Sequence, residues 1–244
     1  MKRHTPEPSD HPGDPDAPKA QCPRRVGARL DTEDVSDYLE GHIASGERRV
    51  FVCSCAFLST WLFPGYVQST KDDPLAAQTI RVIQESAMMS PVALDNAINV
   101  DRGCGRIGGD ETRVLVIPML FRDHYVLWIV HKRGSRIEFY DSLAESLSSD
   151  EITACVMGLH WFGERLGWWP STSEIRLVLM CPDPPHQRSS VDCGVFVCMY
   201  AHLRVIKGRS PEEIQRQVCQ RDANVFRQDI VRCLSASDLQ SGFE

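Results

Sequence analysis

The middle of the chain carries four stretches in which apolar residues follow one another closely; polar turns separate the first three, and a longer segment precedes the fourth. Each stretch is long enough for a β-strand and is bounded by turn-forming residues. The second stretch is apolar without alternation from Tyr125 to Val130, which is typical of a central strand covered on both faces. We therefore predict strands over residues 113–121, 124–130, 136–140 and 174–180.

Apolar residues at helical spacing surround these strands. They predict a helix that starts near residue 34 and further helices over residues 74–90, 149–169 and 195–206. The last of these is almost wholly apolar and must be central and buried, with Gly208 as its C-terminal cap. Ser210 and Glu213 form a capping box that predicts the start of one final helix.

The first 25 residues have a different composition from the rest of the chain. They contain no Val, Ile, Leu or aromatic residue but hold six of the fifteen prolines. Such a segment cannot bury enough apolar surface to offset the entropy that it loses on ordering. We expect a disordered tail over residues 1–28 and one folded domain over residues 29–244.

Composition narrows the class of protein. The apolar fraction of 42% and the charged fraction of 25% are typical of a globular domain. A net charge of −6 gives no support to nucleic-acid binding. No apolar run approaches the roughly 20 residues of a membrane span, and the N-terminus lacks the apolar core of a secretory signal. We expect a soluble intracellular monomer without a nucleic-acid or membrane partner.

Ten cysteines are spread along the chain, and several lie in apolar runs where Cys serves as a small hydrophobic residue. A disulfide framework is not expected without a secretion signal. Cys53 and Cys55 form the only closely spaced pair, so the chain lacks the two pairs of a zinc finger. We expect reduced thiols, no metal and no cofactor.

Cys193 differs from the other cysteines by its position. It lies at the predicted N-terminus of the buried helix, where unpaired amide donors and the positive end of the helix dipole favour a thiolate. A free thiol with a pKa of about 8.5 is only slightly ionised at neutral pH, so a nucleophile needs such help. Gly194 would leave room for an approaching carbonyl. The alternative is a cysteine that is simply buried at a helix start.

His124 and Asp141 supply a possible base and its partner. His124 begins one predicted strand and Asp141 follows the next, so the hairpin between them brings both to the same edge of the sheet. Asp141 would fix the imidazole tautomer and leave the other nitrogen to take the thiol proton. The alternative is an unrelated turn histidine and an aspartate that caps a helix.

Gln187 lies six residues before Cys193, in a proline-rich loop. A side-chain amide at this position can donate to the oxyanion of a tetrahedral intermediate, beside the backbone N–H of Cys193. Taken alone, Gln187 is a polar loop residue.

The order of these residues resembles that of the ubiquitin-like-protein-specific cysteine proteases, the SUMO (sentrin) protease family. The order His, Asp, Cys with an upstream Gln is specific, because papain itself runs Cys, His, Asn. The similar segments are His124-Tyr125, Asp141-Ser142-Leu143, Gln187 to Gly194, and Thr60-Trp61-Leu62. The resemblance covers roughly residues 29–236.

This resemblance implies an α+β, papain-like cysteine protease fold, with a central mixed sheet flanked by helices and the catalytic Cys at the N-terminus of a buried helix. It implies cleavage after the C-terminal Gly-Gly of SUMO or a related ubiquitin-like modifier, through a thioester acyl-enzyme and without a cofactor. The implied catalytic residues are His124, Asp141, Cys193 and Gln187. Trp61 and Tyr125 would roof a tunnel for the modifier tail. Family analogy alone suggests the nucleus or cytoplasm.

Two departures from the family leave the modifier open. Tyr125 replaces the usual Trp after the catalytic His, and Phe63-Pro64 replaces the polar pair after the Trp-Leu motif. The alternatives are a deubiquitinase or deneddylase on the same fold, an acetyltransferase with a similar His–acid–Cys order, and a non-catalytic module that binds a modifier.

Overall fold

The computed structural model describes most of the chain on either side of one long interval. The described residues are 28–44, 49–53, 55, 111–144, 146–170, 172–183 and 185–241. The helix predicted over 74–90, the pair Phe63-Pro64 and the tunnel residue Trp61 lie outside them, as does the predicted tail except for Ala28. The boundary between tail and domain therefore stays a prediction.

A mixed sheet of five strands in the order β1-β2-β3-β4-β5 forms the centre of the described structure. Strands β2, β3 and β4 pair antiparallel, and the two outer strands pair parallel with their neighbours. The strands are β1 (Val50–Val52), β2 (Val114–Phe121), β3 (His124–His131), β4 (Arg136–Tyr140) and β5 (Arg176–Met180). The apolar strand β3 is central, as predicted. The sequence prediction missed β1, because three residues are too few to show a pattern.

Within the described ranges, five α-helices accompany the sheet: α1 (Thr32–Tyr38), α2 (Ser149–Arg165), α3 (Cys193–Ala201), α4 (Pro211–Gln217) and α5 (Gln220–Ser241). Short π-helical segments, Leu39–Ala44 and His202–Ile206, follow α1 and α3. Helix α3 starts at Cys193, two residues earlier than predicted. The single final helix of the prediction is two helices, because Val218 adopts an extended conformation between them (φ −83°, ψ 138°).

Local sequence explains where several helices begin and end. Ser148 and Glu151 form a reciprocal capping box at the start of α2, and Ser210 and Glu213 form another at the start of α4. Gly208 adopts a φ of +65°, which favours glycine, just after the π-helical segment that follows α3. The predicted capping box and glycine cap are thus confirmed.

The core consists of two apolar layers, one on each face of β3. Tyr125, Leu127 and Ile129 pack toward α1, α3 and α5, and the alternate residues of β3 pack toward α2. Every residue of α3 is buried, so this helix lies between the sheet and the outer helices. Burying a large aliphatic side chain contributes about 1.5–3 kcal/mol, so these layers fix the N-terminus of α3 against β3.

A buried charge ties the sheet to the segment that follows α3. Glu138 on β4 has no exposed surface, and Arg204 donates to both of its carboxylate oxygens at 2.8 Å. His131 and Arg136 lie 3.0 and 2.9 Å from the same carboxylate. Burial alone would raise the pKa of Glu138, but these neighbours lower it to about 2.

We expect Glu138→Gln to lower the free energy of unfolding by about 3 kcal/mol, because removing one partner of a buried ion pair leaves its cations uncompensated. Urea unfolding measures this change. Glu164→Gln is the control, since Glu164 is partly exposed and lies 3.9 Å from its nearest cation, His160. The difference in free energy of unfolding between wild type and Glu138→Gln should shrink as pH falls through about 2, where Glu138 of the wild type itself becomes protonated. Equal stability of the two variants at neutral pH would contradict this role.

None of the eight cysteines among the described residues forms a disulfide. The described helices include none that is both long and apolar enough to cross a membrane. In the same residues, no group of three or more His, Cys, Asp and Glu side chains could hold a metal ion.

Candidate active site

Cys193 is the first residue of α3 and lies beside β3. Burial opposes its ionisation, but a hydrogen bond with His124, the backbone N–H of Tyr125 and the charge of His124 together lower the pKa of Cys193 below its usual value. The N-terminus of a helix adds a favourable dipole for an anion. The structure therefore favours a thiolate at this sulfur.

His124 is the first residue of β3 and contacts both other residues of the predicted triad. Its Nε2 lies 2.9 Å from Oδ1 of Asp141, so Nδ1 remains to face the thiol. Burial alone would lower the pKa of His124, but the hydrogen bonds with Asp141 and Cys193 raise it to about 9. A raised histidine pKa beside a lowered thiol pKa describes a thiolate–imidazolium pair.

Asp141 follows β4 and is held by the loop after it. The backbone N–H groups of Leu143 and Ser146 donate to its two oxygens at 2.9 and 2.8 Å, and the Ser146 hydroxyl donates at 2.7 Å. Burial opposes ionisation of Asp141, yet the hydrogen bonds from His124, Ser146 and Leu143 lower its pKa. Ser148 caps α2, so the alternative of Asp141 as the helix cap is wrong.

Access to the sulfur requires movement. Cys193 has no exposed surface, Tyr125 is 2% exposed and His124 is 8% exposed. Arg29 lies above the Tyr125 ring, with its guanidinium carbon 5.8 Å from the ring centre, and donates to the carbonyl of Asp123. In this state an acyl substrate reaches the sulfur only after neighbouring side chains shift.

Gln187 is buried and fixed by the residue that follows Asp141. The Ser142 hydroxyl donates to Gln187 Oε1 at 2.7 Å, and the Gln187 backbone N–H donates to the Ser142 carbonyl at 3.1 Å. Its amide nitrogen donates to the Ser189 carbonyl and carries a second N–H. Asp141 and Ser142 thus orient the histidine and the glutamine from adjacent positions.

The sequence offers Asp192 either as the cap of α3 or as a support for the site, and it does not indicate the partners of Asp192 behind Cys193. Asp192 is buried and makes no capping hydrogen bond. It forms an ion pair with the buried Arg227 of α5 and accepts from Gln220 Nε2 at 2.7 Å. Arg227 also donates to the carbonyls of Ala28 and Val191. Because these partners are far apart along the chain, no local pattern could have indicated this anchor.

Gly194 lies at a point of close packing between α3 and the N-terminal part of the domain. A Cβ atom built on it would lie 3.1 Å from Val35 Cγ2 and 3.2 Å from Leu30 Cβ. The glycine therefore permits α3 to pack closely against α1 and the segment before it. The expectation that Gly194 makes room for the substrate carbonyl receives no support from this packing.

A comparison with models of protein families assigns the chain to a family. The model of the Ulp1 protease family, C-terminal catalytic domain, matches residues 110–236, which is more than half of the chain. The chain belongs to the Ulp1 protease family. The membership confirms the resemblance noted in the sequence and places the chain among cysteine proteases. No curated protein matches the sequence significantly.

Solved structures agree with this Ulp1-family fold at low sequence identity. One structure of SUMO protease Ulp1, with its catalytic cysteine oxidised to a sulfonic acid, has a TM-score of 0.57 and 16% sequence identity. The match covers 89% of this chain and 81% of the Ulp1 chain. The Ulp1 domain in complex with SMT3, the yeast ortholog of SUMO, has a TM-score of 0.55 and 15% identity, and the match covers 83% of this chain and 75% of the Ulp1 chain. The Chlamydia abortus effector ChlaDUB has a TM-score of 0.51 and 17% identity, and the match covers 86% of this chain and 93% of the ChlaDUB chain. The α+β papain-like prediction is confirmed.

Proposed function

We propose that this Ulp1-family protein is a cysteine isopeptidase that cleaves after the C-terminal Gly-Gly of SUMO or a related ubiquitin-like modifier. Cys193 is the nucleophile, His124 the general base and acid, Asp141 the residue that orients the imidazole, and Gln187 an oxyanion donor. The observation that carries the proposal is the continuous contact from the thiol of Cys193 through His124 to Asp141.

The first half of the reaction transfers the modifier to the enzyme. The thiolate of Cys193 attacks the carbonyl carbon of the terminal glycine, and the carbonyl oxygen becomes an oxyanion near the N–H groups of Cys193 and Gln187. The tetrahedral intermediate then collapses and the carbon–nitrogen bond breaks. The imidazolium of His124 gives its proton to the departing amine, leaving a thioester and a neutral imidazole.

The second half releases the modifier. Neutral His124 takes a proton from water, and the resulting hydroxide adds to the thioester carbonyl. Collapse of this second intermediate expels the thiolate of Cys193 and frees the modifier as its carboxylic acid, which gives its proton to solvent water and leaves as the carboxylate. The imidazolium, oriented by Asp141, again stands beside the thiolate, so the site returns to its starting protonation state.

The identity of the residue at position 125 motivates a second candidate function. Tyr125 occupies the position where the family usually has Trp, and its smaller ring would leave more room over a glycine tail. One neighbour in fold carries a name that denotes a deubiquitinase, while others are named as SUMO proteases. Both observations support testing ubiquitin and NEDD8 as well as SUMO.

A panel of modifiers that carry C-terminal electrophiles tests the choice. SUMO, NEDD8 and ubiquitin probes are each incubated with the wild-type protein, and the labelling rate of Cys193 is followed by peptide mass spectrometry. Fastest labelling by SUMO supports the proposal, and fastest labelling by ubiquitin or NEDD8 favours the second candidate. Binding of a modifier without labelling by any probe would instead favour a non-catalytic module, and acetyl-CoA turnover an acetyltransferase.

We expect Gln187→Ala to lower kcat for the preferred modifier substrate about 100-fold with little change in KM, because an oxyanion donor acts in the transition state. Initial rates over a range of substrate concentrations separate the two constants. Gln215→Ala is the matched control, since its side chain is exposed on α4. A change of KM alone would show that Gln187 binds substrate and is not an oxyanion donor.

A further inference from the structure

A pocket of about 410 Å³ lies at the end of the sheet opposite to Cys193. Three arginines and three valines line it: Arg49, Arg113, Arg133, Val50, Val114 and Val205. His124 and His131 are the two ends of β3, and eight residues of strand span about 25 Å. The pocket is therefore remote from the candidate active site.

In the described part of the chain, the three guanidinium groups have no acidic partner. Arg49 and Arg133 are exposed and Arg113 is half-buried. Within the described residues, no hydrogen bond or ion pair engages any of the three side chains. This is unexpected in a chain with 33 acidic and 27 basic residues. Like charges left together without a counter-charge favour the binding of an anion.

Strand pairing explains why the arginines converge. Val50 pairs with Val114 in parallel register, so Arg49 and Arg113 precede these two residues on neighbouring strands, and the backbone N–H of Arg113 donates to the Arg49 carbonyl at 2.8 Å. Arg133 lies in the turn that follows β3, next to Lys132, whose backbone N–H donates to the Arg113 carbonyl at 2.8 Å. The fold thus places three arginine residues at one end of the sheet. Like charges opposed on neighbouring strands destabilise the sheet when no counter-charge lies between them.

The donor set selects the class of anion. A guanidinium offers paired N–H donors that fit two oxygens of one acceptor. Three guanidinium groups can satisfy more oxygens than the two of a carboxylate, and a phosphate group supplies three or more with up to two negative charges. The volume suits a single small group and not a protein surface. The valines give the carrier of that group an apolar wall.

We infer that this pocket is a binding site for a phosphate group carried by an organic molecule. Arg49, Arg113 and Arg133 hold the phosphate oxygens, and the valines contact the carrier. The carrier is either a free phosphorylated small molecule or a phosphorylated side chain, and both present the same chemistry to the arginines. The site is independent of the proposed protease chemistry, because the pocket lies at the opposite end of β3 from His124.

Isothermal titration calorimetry of the full chain tests this inference, with inorganic phosphate, a sugar phosphate and a phosphoserine peptide as probes. Chloride keeps the ionic strength constant, since exposed charges are screened by salt. We expect saturable binding at one site per chain. The double variant Arg113→Gln/Arg133→Gln should bind at least about tenfold more weakly, as expected when charge-assisted hydrogen bonds are lost. Arg133→Gln alone, in an exposed turn, should weaken binding to a smaller extent.

The control is Arg232→Gln, which removes one arginine from the exposed face of α5 and should leave the affinity unchanged. Tighter binding of the sugar phosphate than of the peptide assigns the carrier as a free molecule, and the reverse order assigns it as a phosphorylated protein. Equal affinity of wild type and the double variant would overturn the inference. So would the absence of saturable binding, or a preference for the same peptide with glutamate in place of phosphoserine.

Discussion

Replacing Cys193 with alanine should lower kcat/KM for a fluorogenic modifier substrate by about 10⁴-fold or more, because it removes the sulfur that forms the thioester in the proposed mechanism. The loss should appear in kcat, since the modifier still binds the surface around the site. Initial rates with the purified variant, set against its thermal unfolding curve, measure the effect on a protein that is shown to be folded.

Cys198→Ala is the matched control for this prediction. Cys198 lies on the same helix and is equally buried, but burial raises the pKa of its thiol well above the usual value. Its removal should leave kcat within about threefold of wild type, because an un-ionised core thiol makes no nucleophile. Retained cleavage by the Cys193 variant, or an equal loss in both variants, would remove the basis for the assignment.

Asp141→Asn should lower kcat by about 10²- to 10⁴-fold while the fold is kept. An amide keeps the shape of the carboxylate, but it loses the charge that stabilises the imidazolium and fixes the tautomer of the imidazole. The pH profile carries the more specific signal. The pair of thiolate and imidazolium is lost as pH rises through the pKa of His124, which is about 9. Without the carboxylate this pKa falls, so the basic limb of kcat/KM should move to lower pH.

Asp123→Asn provides the comparison for Asp141. Asp123 precedes His124, is exposed, and adopts a left-handed conformation (φ 64°) that asparagine tolerates as well as aspartate does. The same chemical change beside the histidine should leave both kcat and the basic limb unchanged. A basic limb that stays in place in Asp141→Asn would mean that Asp141 does not set the ionisation of His124.

Sequence alone predicted the parts of the site that local patterns determine. The apolar run after His124 marked a central strand, and the hairpin of β3 and β4 brought His124 to Asp141 because antiparallel pairing joins one strand's start to the next strand's end. The apolar run that follows Cys193 indicated a buried helix, and the structure starts that helix at the cysteine itself. Periodicity and pairing geometry are sufficient for these predictions.

The remaining features depend on contacts between distant parts of the chain. Asp192 binds Arg227, which lies 35 residues further on, and a single sequence contains no signal that pairs them. Ser142 holds Gln187 across 45 residues for the same reason. The tight packing of Gly194 against Val35 and Leu30 also depends on where α1 lies. The break at Val218 was missed because neither Gly nor Pro marks it.

The protonation state of Cys193 is measured most directly by its ultraviolet thiolate absorbance as a function of pH, taken as the difference between the wild type and Cys193→Ala so that the other cysteines cancel. The difference should titrate clearly below the pKa of an ordinary thiol, about 8.5, and should move back toward that value when His124 is replaced by glutamine. A difference signal that appears only at or above the ordinary thiol pKa in the wild type would contradict the thiolate–imidazolium pair on which the mechanism rests.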